Sequence, residues 1–397
     1  MVYDDLIIGS GLTGLAVAYG LPSGRKVCVI AGPKKNELQW YDESCGIPCA
    51  NNGFGGLGSY WHGVIPMGQI GSSFTPDPYA FTELFHRFYP ESIEERLGKA
   101  WQFVPYKPIR PQIHWQRIFR DNPNWRRILA NADKIEHRPW GWNVSVGQQS
   151  FSGSRIWIAA GALGTPALLE RSPGLSGCSR EYVSDHVILY MGQLSRREHP
   201  ELPFPTIERS KSGVWMLGAY DNFRKGLLST KPARFSYANL DYGIEQRAAF
   251  GLPTSGLLNK LLKAPSLGLI SESLFNKFGL FPKAEILSVY AQICVKDAYH
   301  LEVRSRRLTP ELSNIQSVIN DYRESLNWPE LDPSLRRELF IRGIHLHHSM
   351  DVNILKKKGV LDIENIKIVD PSCITDIGPE HHSFKAMVNA YSLAKST

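Results

Sequence analysis

The apolar positions of this 397-residue chain change period twice before residue 31. Asp5 to Ile8 is a short apolar run of strand length, Leu15 to Leu21 is apolar at helical spacing, and Lys26 to Ile30 is a second apolar strand, with Ser23 and Gly24 closing the helix. This order predicts a βαβ unit. Its first turn reads Gly9-Ser10-Gly11-Leu12-Thr13-Gly14. In that spacing the first glycine permits a tight turn, the second lets backbone approach a pyrophosphate, and the third lets the helix pack on the strand, so that the helix N-terminus faces an anion. A lone GxGxxG is a weak signal; one set between a strand and a helix points to a dinucleotide fold.

Further along, the pattern is mixed. Residues 101–142 hold five of the ten tryptophans, interleaved with Arg110, Arg117, Arg126 and Arg127. Aromatics among basic residues can stack nucleobases, but a surface subdomain with aromatic core residues, or a sugar-facing wall, is the simpler reading. Asn143 to Val146 and Arg155 to Ala160 read as strands. The second runs into Ala160-Gly161-Ala162-Leu163-Gly164-Thr165-Pro166, another place where backbone can approach a cofactor. Between residues 187 and 300, alternating and aromatic segments, among them Val214 to Tyr220 and Ile286 to Val295, predict an antiparallel sheet separate from the dinucleotide fold. Residues 254–283 interrupt it with leucines and phenylalanines between a few lysines. They read as a helix pair packed on the sheet or, as the sharper alternative, a lid or membrane-surface contact for an apolar substrate. Ile366 to Val369 returns to strand, Asp370 to Gly378 to loop, and Ser383 to Ala394 is a closing helix.

Composition narrows the classes. With 43% hydrophobic, 11% aromatic and 21% charged residues the chain is globular, and its length fits two domains or one domain carrying an insertion. Its net charge of +7 is modest, and the longest like-charge run, Lys356 to Lys358, is a solvated face, so no nucleic-acid partner is expected. Six scattered cysteines fit a reducing, cytoplasmic setting; Cys45 and Cys49 lack the second pair or histidine that a zinc site needs. The apolar N-terminus begins with Asp4 and Asp5 and has no basic leader, so it is read as structure rather than targeting signal. No apolar run reaches the about 18 residues of a spanning helix.

Five of the twelve histidines fall in the last 53 residues: His345, His347, His348, His381 and His382. His345 and His347 would share one face of a strand, but no acid-rich or cysteine partner set accompanies them, and no metal site is expected. A single buried histidine is by default a hydrogen-bonded core residue. Two clusters flanking a strand that rejoins a nucleotide-binding fold point instead to imidazoles at a catalytic face.

Five segments now occur in a telling order: GSGLTG from Gly9, Gly55-Gly56-Leu57-Gly58-Ser59-Tyr60-Trp61-His62-Gly63, AAGALGTPALL from Ala159, Ser184-Asp185-His186, and IVDPSCI from Ile368. In this the chain resembles the glucose-methanol-choline oxidoreductases, FAD flavoproteins that oxidise alcohols, and in motif style the pyranose oxidase branch. The resemblance implies an α/β fold, with a Rossmann-like FAD-binding domain built from 1–70, 130–190 and 335–397. An inserted α+β substrate domain with an antiparallel sheet would take 71–129 and 191–334. It implies FAD contacts at Gly9, Gly11, Leu12, Thr13, Gly14, Gly56, Ser59, Tyr60, Trp61, His62, Ala160, Gly161 and Asp370. In some members a histidine of the second segment carries the flavin covalently; Tyr60 stands there in this chain, so FAD is expected without a covalent bond, His62 being the only nearby alternative.

The family's first active-site histidine falls on His345, in IHLHHSM where the family reads H-x-x-G-T, with His347 as the alternative if the register shifts. The second falls on His382, or on His381 one residue earlier. The implied chemistry is removal of a hydroxyl proton by His382 or His345 as hydride leaves the same carbon for the flavin. The substrate class is a sugar or glycoside hydroxyl, with an apolar or lipid-linked alcohol, or a redox-inactive binding scaffold, as alternatives; the electron acceptor is open. One departure stands out. Where the family supplies an acid for the adenosine ribose, this chain has Ile30 and Ala31, with Lys34 and Lys35 beyond, lysines that would suit a 2′-phosphorylated nicotinamide cofactor.

Overall fold

In the computed structural model of the protein, the described residues are 2–32, 53–61, 63–68, 76–200, 207–217, 226–232, 286–324, 340–342, 345–358 and 365–397. Residues 254–283, Lys34, Lys35, Cys45, Cys49 and His62 lie outside them. In chain order the elements begin with β1 (Val2–Ile8), α1 (Leu12–Gly20), β2 (Val27–Ala31), a 3₁₀ turn (Gly56–Tyr60), β3 (Ile65–Pro66), α2 (Pro78–His86), β4 (Trp101–Pro105) and α3 (Pro111–Asp121). There follow β5 (Arg126–Leu129), β6 (Lys134–Arg138), β7 (Gly141–Val146), β8 (Gln149–Ile158), α4 (Gly161–Glu170), β9 (Tyr182–Ser195), β10 (Ile207–Arg209), β11 (Gly213–Leu217) and β12 (Gly226–Pro232). The last are β13 (Ile286–Glu302), β14 (Arg307–Pro310), α5 (Leu312–Glu324), β15 (Phe340–Arg342), α6 (Val352–Lys357), β16 (Ile366–Ile368) and α7 (Ser383–Lys395).

Five strands pair in parallel in the order β5-β2-β1-β8-β16. In chain order that is third, second, first, fourth, fifth, the doubly wound arrangement, and it reverses between β1 and β8. β8 carries two partners: β7 runs antiparallel to its first half as far as Gly153, and β16 runs parallel to its end from Ile156. Leu6, Ile7, Val27, Val29, Ile156, Trp157 and Ile158 are wholly buried, as expected of strands covered on both faces and therefore apolar without alternation. On one face α1, α2 and α7 share a core with Trp115 of α3.

The second unit is antiparallel. β10-β11-β4-β3 form one sheet, and β12-β13-β9-β15, with β14 on β13, form another. In the latter, alternation assigns the faces: Val187, Leu189, Ala291, Ile293 and Val295 share a core with Ile315, Ile319 and Tyr322 of α5, while His186, paired with Cys294, and Gln292 lie on the opposite face.

The domain limits differ from those read in the sequence. β3 belongs to an antiparallel sheet, β5 to the parallel one, and β9 already leaves the dinucleotide unit at Tyr182; strand pairing, absent from local pattern, decides each. Nor do residues 101–142 form a subdomain. They are shared between β4, α3 and the β5–β7 part of the parallel sheet. Among the described residues no helix is long and apolar enough to cross a membrane.

Candidate active site

The turn between β1 and α1 lies where the strand order reverses. Gly9 has φ +102°, and a Cβ there would lie 2.1 Å from the Ala159 carbonyl oxygen at the end of β8. A Cβ on Gly14 would lie 2.3 Å from the Gly9 oxygen. Both glycines are therefore demanded by the fold itself. Gly11 is not: its φ is −67°, open to any residue, and the nearest described atom to an added Cβ is the Gly55 oxygen at 4.0 Å. Among the described residues, what this glycine leaves is open space at the start of a helix that no side chain caps. Leu12 and Thr13 form the first helical turn. The Ser10 carbonyl accepts from Trp115 Nε1 at 2.8 Å and from Gly55 N at 3.0 Å, so α3 and the glycine segment brace the turn.

That glycine segment is held in place. Gly56–Tyr60 makes the 3₁₀ turn; Gln112 donates to Ser59 Oγ, and Arg110 donates to the Trp61 carbonyl at 2.8 Å. Trp61 is buried. At the end of β8, Ala160 caps α4 and Gly161 starts it. Asp370, 2% exposed, accepts from the Gly161 N–H at 2.9 Å and from Thr165 through one oxygen, and from the Ser372 N–H at 3.0 Å through the other. Burial pushes its carboxyl up from the usual value while these donors pull it down. Its oxygens are thus taken up in joining α4 to the loop after β16. A cavity of about 280 Å³ opens there, lined by Val369, Asp370, Thr375, Asp376, Ala386 and Asn389 among others. β2 ends in the buried Ile30 and Ala31, which have no side-chain oxygen to offer a ribose.

The second half of the site is a group of imidazoles. Asp185, wholly buried, accepts through Oδ1 from the backbone N–H of His186 at 2.8 Å and of His345 at 2.6 Å. Ser184 and His347 exchange two backbone hydrogen bonds of 3.0 Å. These contacts lay the 345–350 segment against β9. The ring centres of His345 and His382 are 5.2 Å apart, those of His345 and His186 5.0 Å, His345 and His381 5.3 Å, and His347 and His382 6.1 Å. All four histidines predicted as catalytic are therefore brought together, and His186 joins them.

Their partners differ. His186 Nε2 lies 2.5 Å from the Gly378 carbonyl oxygen, and its Nδ1 lies 3.2 Å from both Gln292 Nε2 and His345 Nδ1. His347 Nδ1 is 3.0 Å from the His345 carbonyl oxygen, and its Nε2 is 3.9 Å from Cys294 Sγ. His382 Nδ1 is buried with no hydrogen-bond partner among the described residues. Burial lowers His186 to about 3 and His347 to about 4, and holds His345 and His382 well below the ordinary imidazole value, with neighbouring imidazoles adding to the effect. These four rings are neutral at neutral pH. Burial also pushes the Cys294 thiol up to about 12, so it stays protonated. His348 turns away to Arg180, whose guanidinium lies 2.7 Å from its Nδ1. Its φ of +55° is the left-handed shape that favours glycine, in keeping with the register that sets His348 on the glycine of H-x-x-G-T and His345 on the histidine.

Sequence reasoning passed over His186, Asp185, Gln292 and Cys294. The Ser184-Asp185-His186 triplet was visible as a motif but without a role; Gln292 and Cys294 show only as polar positions in an alternating strand. For Tyr60 the structure describes the backbone. Among the described residues no group of three or more His, Cys, Asp or Glu side chains is arranged to hold a metal ion.

No protein-family model matches the chain, and no curated protein does. Solved structures do. A pyridoxine 4-oxidase from Mesorbium loti aligns over 99% of this chain and 99% of its own, with 12% identity and a TM-score of 0.50. An FAD-dependent oxidoreductase from Chaetomium thermophilum aligns over 99% of this chain and 98% of its own, with 13% identity and a TM-score of 0.52. At such identities the likeness establishes the fold: a parallel-sheet core with separate antiparallel sheets, shared from end to end.

Proposed function

We propose that the protein is an FAD-dependent oxidoreductase of glucose-methanol-choline type that oxidises an alcohol hydroxyl, the hydroxyl belonging to a sugar or glycoside. One observation carries this reading: a cluster of buried imidazoles is tied to the glycine turn at the end of β8, since His348 and Met350 donate to the Pro371 and Ser372 carbonyls while Asp370 accepts from Gly161, and at the neighbouring β1 turn Gly11 keeps open a space that no described residue fills. Both similar structures are of oxidases or oxidoreductases, one named for FAD and one for pyridoxine. The substrate class rests on the likeness of the Gly55–Gly63 segment to the sugar-oxidising branch.

The residues present fit FAD at its pyrophosphate. Gly11 and the uncapped start of α1 at Leu12 and Thr13 would hold the anion, and Gly56, Ser59, Tyr60 and Trp61 with Ala160 and Gly161 would flank the rest. Bound there without a covalent link, FAD supplies the two-electron acceptor. The chain supplies the proton chemistry. A neutral imidazole accepts the hydroxyl proton, which makes the carbinol carbon a far better hydride donor, and such help contributes about a hundredfold to ten-thousandfold. His382 Nδ1 is buried without a partner among the described residues, at a cost of about 1–3 kcal/mol, and its ring, centred 5.2 Å from that of His345, is the second imidazole beside the base. A scaffold without chemistry gains nothing from that cost.

The test is spectroscopic. The purified chain should take up FAD, turn yellow, and bleach anaerobically with sugar alcohols or glycosides. Bleaching by apolar alcohols alone would replace the substrate class, and a chain that remains colourless with FAD would overturn the reading.

A further inference from the structure

Hydrogen-bond donors and acceptors in the cluster fix where the protons of His186, His345 and His347 sit. The Gly378 carbonyl can only accept, so His186 Nε2 carries its hydrogen, and the neutral ring leaves Nδ1 bare. The Pro379 carbonyl, 2.7 Å from Gln292 Nε2, likewise can only accept, so the Gln292 amide group is oriented and its second hydrogen points at the same His186 Nδ1. Two bare nitrogens at 3.2 Å would set lone pair against lone pair. The hydrogen between His186 and His345 therefore sits on His345 Nδ1, and the two donors share one lone pair of His186.

From this we infer that His186 is a positioning residue: held by Gly378 and Gln292, it forces His345 into the Nδ1–H form, making the bare Nε2 of His345 the base for the substrate hydroxyl. The inference rests on the function proposed above and names which imidazole performs its proton transfer. His347 is excluded by the same bookkeeping of hydrogens. Its Nδ1–H donates to the His345 carbonyl, and its Nε2 faces the Cys294 thiol. His345, unlike His186 and His347, keeps part of its surface exposed. Without a partner, neutral histidine prefers hydrogen on Nε2, the wrong nitrogen for this task; the relay reverses that preference, as a second partner does for imidazoles at metal and catalytic sites.

The test uses the full chain loaded with FAD and labelled with nitrogen-15 in histidine. Long-range proton–nitrogen spectra should show His345 with a protonated Nδ1 and a bare Nε2; the opposite pattern would overturn the inference even if alcohol oxidation is found. The pattern can be read whether or not alcohol is oxidised, so loss of the proposed function leaves it standing or falling by itself. In kinetics, His186→Asn places an acceptor oxygen near the old Nδ1 and should keep flavin reduction within about threefold of the parent, whereas His186→Leu should lose about tenfold, part of the roughly hundredfold to ten-thousandfold that general-base catalysis contributes, with KM unchanged. Equal losses in the two variants, the result of a packing role alone, would also overturn it. Should neither variant fold, the spectrum of the unaltered chain decides.

Discussion

The two halves of the site are made of different materials. The crevice at β1 and β8 is made of backbone: Gly9 and Gly14 bring chain against chain, and Gly11 leaves a gap in front of helix N–H groups. The imidazole cluster is made of side chains from four separated stretches, around 186, 292–294, 345–348 and 378–382. The first half works by fixed dipoles that a ligand must approach closely. The second works by protons, whose positions are set by carbonyl oxygens several segments away. At Gly9 and Gly14 the backbone half tolerates no added Cβ, whereas the proton half depends on which acceptor each ring faces.

The proton half of the site is most sensitive at His345. Replacing it by alanine should slow flavin reduction by about a hundredfold to ten-thousandfold while the bound FAD spectrum stays intact; an unchanged rate in stopped-flow absorbance would move the chemistry out of the cluster. Next come the glycines. Gly9→Ala should destabilise the chain by about 2–6 kcal/mol, from a strained φ plus a backbone collision, seen in chemical denaturation. Gly11→Ala should leave stability within about 1 kcal/mol of the parent yet weaken FAD binding, followed by fluorescence titration. Were both variants to lose stability alike, Gly11 would be a structural glycine and the open space meaningless.

A smaller effect of opposite sign is expected at His382. His382→Leu removes the unpartnered buried nitrogen, so thermal denaturation should show a gain of up to about 1–3 kcal/mol alongside slower flavin reduction. A loss of stability would show that the nitrogen has a structural partner. Acid should destabilise the fold. His186 falls to about 3 and His347 to about 4 from 6.5 in the open chain, so below 6.5 the unfolded chain binds protons that the folded one refuses. Stability is full above that value and is lost as pH falls through this window. Urea midpoints should be flat above 6.5 and decline below it, and His186→Asn should make the decline shallower; an unchanged slope would mean that the ring is not held neutral.

Much of the crevice was legible because its determinants are adjacent. Gly9, Gly11 and Gly14 lie within six residues, and they are flanked by the apolar runs Leu6–Ile8 and Val27–Ala31. Even there, α1 starts at Leu12 rather than Leu15, since the glycine turn carries no apolar period to mark it. Asp370 was visible as a residue type, but only packing shows that its oxygens are given to Gly161, Thr165 and Ser372. The histidines were visible as a surplus near the end of the chain, and the choice among them was not, because the bond that decides it joins residues 159 positions apart.

The sequence by itself determined that a dinucleotide turn begins the chain, that an antiparallel sheet is inserted, and that imidazoles gather at the closing helix. Local steric demands and the period of buried positions are written into neighbouring residues. Only the tertiary structure decided that β5 returns to the first sheet, that His186 belongs with His345, and which carbonyl oxygens hold the hydrogens of His186 and His347. Strand pairing and hydrogen-bond direction depend on groups that meet only after folding, and a residue's type says nothing about what it will face.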